Sequence, residues 1–255
     1  MSKDYKDIPV RQKYWRNLPE AAAIPDLIRT APGRVERMVE QPVISPPRPA
    51  RAAPAIAAAP EGRLKQAAAE AETCRRCDLW KPATQVVFGE GPADARIMMI
   101  GEQPGDQEDL AGRPFVGPAG QLLDRAMEEA GLDRRQVYVT NAVKHFKFEP
   151  RGKRRIHQKP GSTEIVACKF WLEIEREEIR PAVTVMLGAT AAQAVFGRTV
   201  TISRERGRPL ALGGNTQGFV TVHPSYLLRL PDKAAKEREY AAFVEDLRRI
   251  AVLAA

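Results

Sequence analysis

Three histidines, three cysteines and one run of basic residues hold most of the chemistry open to this 255-residue chain. Cys74-Arg-Arg-Cys77 presents two thiolates to one metal or cluster, with Cys168 far off in sequence. Four ligands are wanted, and His145 is the best remaining soft donor. A Cys3His set suits zinc or an iron–sulfur cluster, and spacing does not choose between them. A redox-active CxxC and two unrelated buried cysteines are the competing readings. A thioredoxin-type motif follows a strand and opens a helix, whereas this one follows a helix expected over 62–72.

The histidines all fall in loops. His145 lies in Lys144-His-Phe-Lys-Phe148, His157 ends Lys153-Arg-Arg-Ile-His157, and His223 opens His-Pro-Ser225. A lone loop histidine is usually just hydrogen-bonded, but three of three beside expected strand ends point to function. Residues 144–159 carry Lys144, Lys147, Arg151, Lys153, Arg154, Arg155 and Lys159 against one acid, Glu149. The segment reads as a mobile basic loop bordering the site and suited to phosphate contacts; a solvated charge run is the plainer alternative. Phe115, in the Gly/Pro-rich stretch Gly112–Gly120, can stack on a base or plug the packing. Asn141 offers the donor and acceptor that match the imide edge of a pyrimidine, or simply forms a turn.

These residues need a frame. Ala95–Ile100, Val137–Thr140, Val183–Leu187 and Phe219–Val222 are short apolar runs that read as buried strands. Helical periods fall between and after them at 118–130, 162–179, 189–196 and 233–253. The alternation predicts a three-layer α/β/α sandwich around a four-stranded parallel sheet. Gly101-Glu-Gln-Pro-Gly105, Asn141 and His223-Pro-Ser225 each follow a strand, and ligands in open α/β sheets bind beyond the strands' carboxyl ends. One shared site is therefore expected there.

Composition narrows the class. Forty Lys and Arg against 32 Asp and Glu leave a charge of +8, which favours a polyanionic partner. A hydrophobic content of 44% supports a buried core and excludes wholesale disorder. No apolar run approaches a bilayer span, the amino terminus lacks a signal-peptide core, and three cysteines exclude a disulfide scaffold. A cytoplasmic protein is expected, and nothing requires more than a monomer. Residues 1–40 read as a helical segment and 41–61 as a linker, since 41–60 hold six prolines and seven alanines. The remainder, 62–255, is the expected functional domain.

Taken together, Gly101-Glu-Gln-Pro-Gly105, Glu108-Asp109, Gly112-Arg-Pro-Phe-Val-Gly117, Val139-Thr-Asn141 and His223-Pro-Ser225 resemble the family 4 uracil-DNA glycosylases. The likeness runs from about residue 70 to 250. Cys74, Cys77 and Cys168 match that family's cluster ligands, and His145 stands where its remaining Cys would be. That replacement, with Gln103 and the inserted Lys153-Arg-Arg-Ile-His157, is similar to the UdgX branch. The resemblance implies a [4Fe-4S] cluster on Cys74, Cys77, His145 and Cys168, and uracil-containing DNA as partner.

It further implies that Phe115 stacks on a flipped uracil, Asn141 bonds its N3/O4 edge and His223 bonds O2. Glu108 would sit near the base and help exclude a thymine methyl. His157 is the implied nucleophile at C1′, assisted by Glu102, with Gln103 and Arg155 fixing its loop. Lys153, Arg154, Arg155 and Ser225 would touch DNA. Tyr226-Leu-Leu-Arg229 reads as a wedge, although Leu227 and Leu228 could equally be core. Capture at C1′ would end turnover after one event. A multiple-turnover glycosylase and a non-covalent binder of damaged DNA are the rival functions. Asp7–Glu20 resembles the end of a domain fused ahead of UdgX proteins, with a short docking segment as its rival.

Overall fold

The computed structural model describes residues 60–255. The expected helical segment 1–40 and nearly all of the linker 41–61 lie outside the described residues; Pro60 and Glu61 open the first helix instead. That helix, α1, spans Pro60–Glu72. Then come β1 (Ile97–Gly101), α2 (Asp106–Ala111), α3 (Pro118–Glu129), β2 (Val137–Asn141), β3 (Phe148–Arg151) and β4 (Arg154–His157). The chain continues through α4 (Ser162–Ile179), β5 (Val183–Leu187), α5 (Ala189–Phe196), α6 (Ile202–Glu205) and β6 (Pro209–Ala211). It closes with β7 (Gln217–Thr221), α7 (Pro224–Arg229) and α8 (Lys233–Ala254).

The four apolar runs become the parallel strands β1, β2, β5 and β7, buried on both faces because helices cover each side. Alternation divides their side chains between two cores. Met98, Ile100, Tyr138, Met186 and Val220 pack against α1, α4 and α5. Ile97, Met99, Val139, Val185 and Phe219 face Leu123 and Met127 of α3, Leu227 of α7, and Phe243 and Leu247 of α8. Three layers result, as the strand–helix alternation predicts. The sheet has five strands rather than four, in the order β2-β1-β5-β7-β6. The addition, β6, pairs antiparallel with β7 at the edge. It has three residues and begins at a proline, which an edge tolerates, so it carries no strand signal in the sequence.

Residues 148–157 also differ from the expectation. The expected mobile loop is a two-stranded antiparallel hairpin in which Phe148 faces His157 and Arg151 faces Arg154. Gly152 turns it with a φ of +58°. Glu149, Pro150 and the arginines hide the pattern, because an exposed hairpin needs no apolar alternation.

Helix ends next to the cleft are set locally. Pro118 and Pro224 occupy the first turns of α3 and α7, where their missing N–H costs nothing. At α4, the Glu164 carboxylate accepts the Gly161 N–H at 2.5 Å. Among the described residues no helix is long and apolar enough to cross a membrane.

Candidate active site

The segments leaving β1, β2, β5 and β7 meet at the carboxyl ends of the strands around a cleft of about 1040 Å³. Glu102, Gln103, Glu108, Phe115, Asn141, His157, His223 and Ser225 all line it. Lys153, Arg154 and Arg155 do not. Sequence reasoning placed polar groups after three strands; the structure adds the fourth, where Gly188-Ala189-Thr190 follow β5. The overlooked signal was a glycine closing an apolar strand, the same cue that marked Gly101.

At one end of the cleft, Gly101 lets two side chains close over the backbone. A Cβ at Gly101 would collide with Asn141 Oδ1 and lie 2.7 Å from Phe115 Cζ. Phe115 itself has a φ of +58°, a left-handed conformation that costs a phenylalanine about 1–3 kcal/mol. Gly120 makes this possible, since any side chain there would overlap the Phe115 carbonyl. Phe115 is buried and its ring is roughly parallel to that of His223, with centroids 6.2 Å apart. An amide, an aromatic edge and an imidazole thus share one corner.

His223 caps α7. Its Nδ1 accepts the Ser225 N–H at 3.1 Å and lies 2.8 Å from Ser225 Oγ, which also accepts from Arg229 at 3.0 Å. With Nδ1 held as acceptor, the neutral ring carries its proton on Nε2. Burial pushes the His223 pKa down to about 4, and the charges of Arg229 and His157 push the same way.

His157 also lines the cleft, with its Nε2 3.3 Å from Glu102 Oε1. The other Glu102 oxygen accepts the hydroxyl of Thr190. Partial burial takes the His157 imidazole below its ordinary value; Glu102 opposes that and Arg229 adds to it. The balance favours a neutral ring at neutral pH.

Gln103 and Arg155 fasten the hairpin that delivers His157. Gln103 Nε2 donates to the carbonyls of Lys147 (3.1 Å) and Gln158 (3.0 Å), and its Oε1 accepts the Lys147 N–H. Arg155 reaches the carboxylates of Asp106 (2.6 Å) and Asp109 (2.5 Å) and the Thr84 hydroxyl (3.1 Å). Gln103 is therefore seated on the hairpin as well as on the cleft wall, and the Arg155 guanidinium is committed to a brace.

Glu108 is also engaged. Its two oxygens accept the Gly105 N–H (3.1 Å) and the Gly117 N–H (2.8 Å), closing the loop that presents Phe115.

The basic segment divides in two. Lys144, read as a phosphate-binding loop residue, is fully buried and pairs with Glu175 at 2.5 Å. Its Nζ also donates to Thr140 Oγ1 and to the Asn141 carbonyl at 2.9 Å. Desolvating a lysine demands such partners, and they exclude it from DNA. Lys147 pairs with Glu164 at 2.9 Å. Lys153 and Arg154 are exposed at the hairpin tip, and Lys159 lines the cleft. Of the two leucines expected as wedge or core, Leu227 is core and Leu228 is exposed on the cleft wall beside Tyr226.

The cysteines pack in the core shared by α1 and α4 and do not line the cleft. Cys74 Sγ accepts Trp171 Nε1–H at 3.2 Å, and Cys168 Sγ accepts the Lys144 N–H at 3.1 Å. Burial pushes the Cys168 thiol up to about 12, with the charges of Cys77 and Cys74 contributing. Burial likewise raises Cys77 and lowers the pKa of His145, which is buried next to Lys144. Sulfurs that accept N–H bonds have the donor surroundings of thiolates on an iron–sulfur cluster. Among the described residues, no three His, Cys, Asp or Glu side chains are gathered as a metal-ion cage.

Residues 88–248 match the model of the uracil DNA glycosylase superfamily. The chain belongs to that superfamily. It is similar to the type-4 uracil-DNA glycosylase of Thermotoga maritima, 44% identical over 157 residues that cover 61% of this chain and 78% of that protein. The Archaeoglobus fulgidus type-4 uracil-DNA glycosylase is 38% identical over 169 residues, 64% of this chain and 81% of the relative. That of Saccharolobus solfataricus is 38% identical over 170 residues, 64% and 76% respectively. The superfamily match spans every cleft residue named above and leaves the Cys74–Cys77 pair just ahead of it.

Proposed function

We propose that this chain excises uracil from DNA and then captures the sugar at C1′ through His157. Superfamily membership and the type-4 relatives support uracil-DNA glycosylase chemistry. One observation carries the capture step: His157 is 3.3 Å from Glu102 on the cleft wall, on a hairpin that Gln103 and Arg155 fasten.

The reading assigns each side chain a task. A uracil flipped from the stack costs a few kcal/mol of unstacking, which the ring of Phe115 and an inserted Leu228 offset. Asn141 bonds the N3/O4 edge of the base. The N1–C1′ bond breaks with its electron pair on the base, and His223 Nε2–H donates to O2, where negative charge collects. Glu102 faces the positive charge left on the sugar. A neutral His157 nitrogen then bonds C1′, the proton on its other ring nitrogen passes through Glu102 to solvent, and the uracil anion takes up the equivalent proton from solvent. Tethering gives the imidazole an effective molarity that lets it compete with water. Lys159 and Arg229, with the exposed Lys153 and Arg154, approach the phosphates.

A [4Fe-4S] cluster on Cys74, Cys77, Cys168 and His145 belongs to the same proposal. It is supported by the N–H donors on Cys74 and Cys168 and by the packing of Cys74 and Cys77 against the core cluster that holds Cys168. The cluster would tie α1 to α4 and to the segment after β2, holding Asn141 in place.

A denaturing gel tests the reading. Protein mixed with a labelled uracil oligonucleotide and boiled in detergent should give a shifted band that a thymine control lacks. His157→Ala should abolish the shift and preserve uracil binding. No shift, with strand cleavage after alkali, means a conventional glycosylase; neither result means binding alone.

A further inference from the structure

We infer that Thr190 is a positioning residue for the capture step, holding Glu102 so that one carboxylate oxygen stays aimed at His157. The inference rests on the reading of His157 as nucleophile.

The terminal torsion of a glutamate is broad and nearly free, so a carboxylate facing a cleft does not choose an orientation by itself. In this fold the choice is made from the neighbouring strand. β1 and β5 are adjacent and parallel, which sets the first residues of α5 beside Glu102. Thr190 is 1% exposed, and its hydroxyl donates to Glu102 Oε2. Oε1 then remains for His157 Nε2 at 3.3 Å. A buried hydroxyl requires a partner, and Glu102 is the one supplied here.

The hydroxyl has no competing task as a helix cap. The position before α5 is Gly188, and no side chain caps that helix. Gly188 also brings the turn against the other catalytic histidine, for a Cβ there would lie 3.2 Å from His223 Cβ. Its φ of +92° suits glycine. One turn thus braces both sides of the cleft: its glycine admits His223 and its threonine orients Glu102.

Thr190→Val keeps the shape and removes only the hydrogen bond. Adduct formation by excess protein on a uracil oligonucleotide should slow about tenfold, or ~1.4 kcal/mol of barrier. Affinity for a non-cleavable 2′-fluoro uracil oligonucleotide and the melting temperature should hold. Thr190→Ser should restore the rate, and Thr190→Ala serves where valine disturbs the packing. In a Glu102→Gln background the valine substitution should add no further loss, because both changes remove the same arrangement. A wild-type rate in Thr190→Val, or an equal loss in the Glu102→Gln background, overturns the inference. Absence of any adduct with the wild-type protein refutes capture alone. The same variants are then compared by uracil release, where a slowed valine variant rescued by serine upholds the role of Thr190 and an unchanged one overturns it.

Discussion

Gln103 and Lys147 hold each other reciprocally: the Gln103 amide donates to the Lys147 carbonyl and accepts the Lys147 N–H, each at 3.1 Å. The side chain thereby imitates one rung of a β-ladder. Its third bond, to the Gln158 carbonyl, reaches the opposite side of the hairpin base, where Gln158 N–H also meets Lys147 O at 2.9 Å. His157 immediately precedes Gln158, so the β1 loop that supplies Glu102 also grips the strand that supplies the imidazole.

Gln103→Ala should therefore damage chemistry more than binding. Misplacing a reacting group by about 1 Å can cost up to ~100-fold in rate. Adduct formation should fall by about 10- to 100-fold while affinity for a non-cleavable uracil oligonucleotide changes little. A variant that forms adduct at the wild-type rate would show that the clamp has no part in placing His157.

Lys144→Met should be severe for stability. It leaves Glu175 buried and charged with only Gly89 N–H, Tyr138 and Thr140 as partners. Breaking a buried pair on one side costs about 3–5 kcal/mol. Urea denaturation of the single variant and of Lys144→Met/Glu175→Met gives the check, and the double variant should recover much of the loss. If both variants are equally unstable, the charge is not what destabilises the single one.

Stability should fall in acid because of His223. Its folded pKa of about 4 lies below its ordinary 6.5. Above pH 6.5 the ring is neutral folded or unfolded. Between 6.5 and 4 the unfolded chain takes up the proton and the folded chain resists, so stability is lost as pH falls through this window, by up to ~3 kcal/mol. His145 and His157 are displaced in the same direction. Melting temperature against pH should fall less steeply in His223→Gln than in wild type. Parallel curves would mean that His223 titrates normally.

Iron and sulfide should be found in the purified protein, with broad visible absorption from thiolate-to-iron charge transfer. Cys168→Ala should bleach the protein and lower its melting temperature, since losing a structural ligand costs folding energy. Zinc in place of iron would overturn the assignment and leave the thiol geometry with a different occupant.

Much of the frame was legible because it follows from periodicity. Val183–Leu187 is apolar but for Thr184 and became a strand with those bounds, since a strand buried on both faces needs no polar alternation. The hairpin 148–157 was not legible. Its stability comes from Gln103 and from the ion pairs of Arg155, which lies 49 residues from Asp106 and 46 from Asp109 in sequence. Lys144 was misread for a related reason, because a lysine in a basic run carries no local mark that its counter-charge waits on α4.

The sequence alone determined which residue types stand at the strand ends, and hence where the candidate cleft lies and that an amide, histidines and carboxylates line it. Tertiary structure decided how they are shared out. It set Phe115 against His223, paired His157 with Glu102, spent Glu108 and Arg155 on bracing, and brought Thr190 to Glu102. The physical reason is that hydrogen bonds and ion pairs are short-ranged and directional, so their partners are chosen by the packing of strands and helices far apart in the chain.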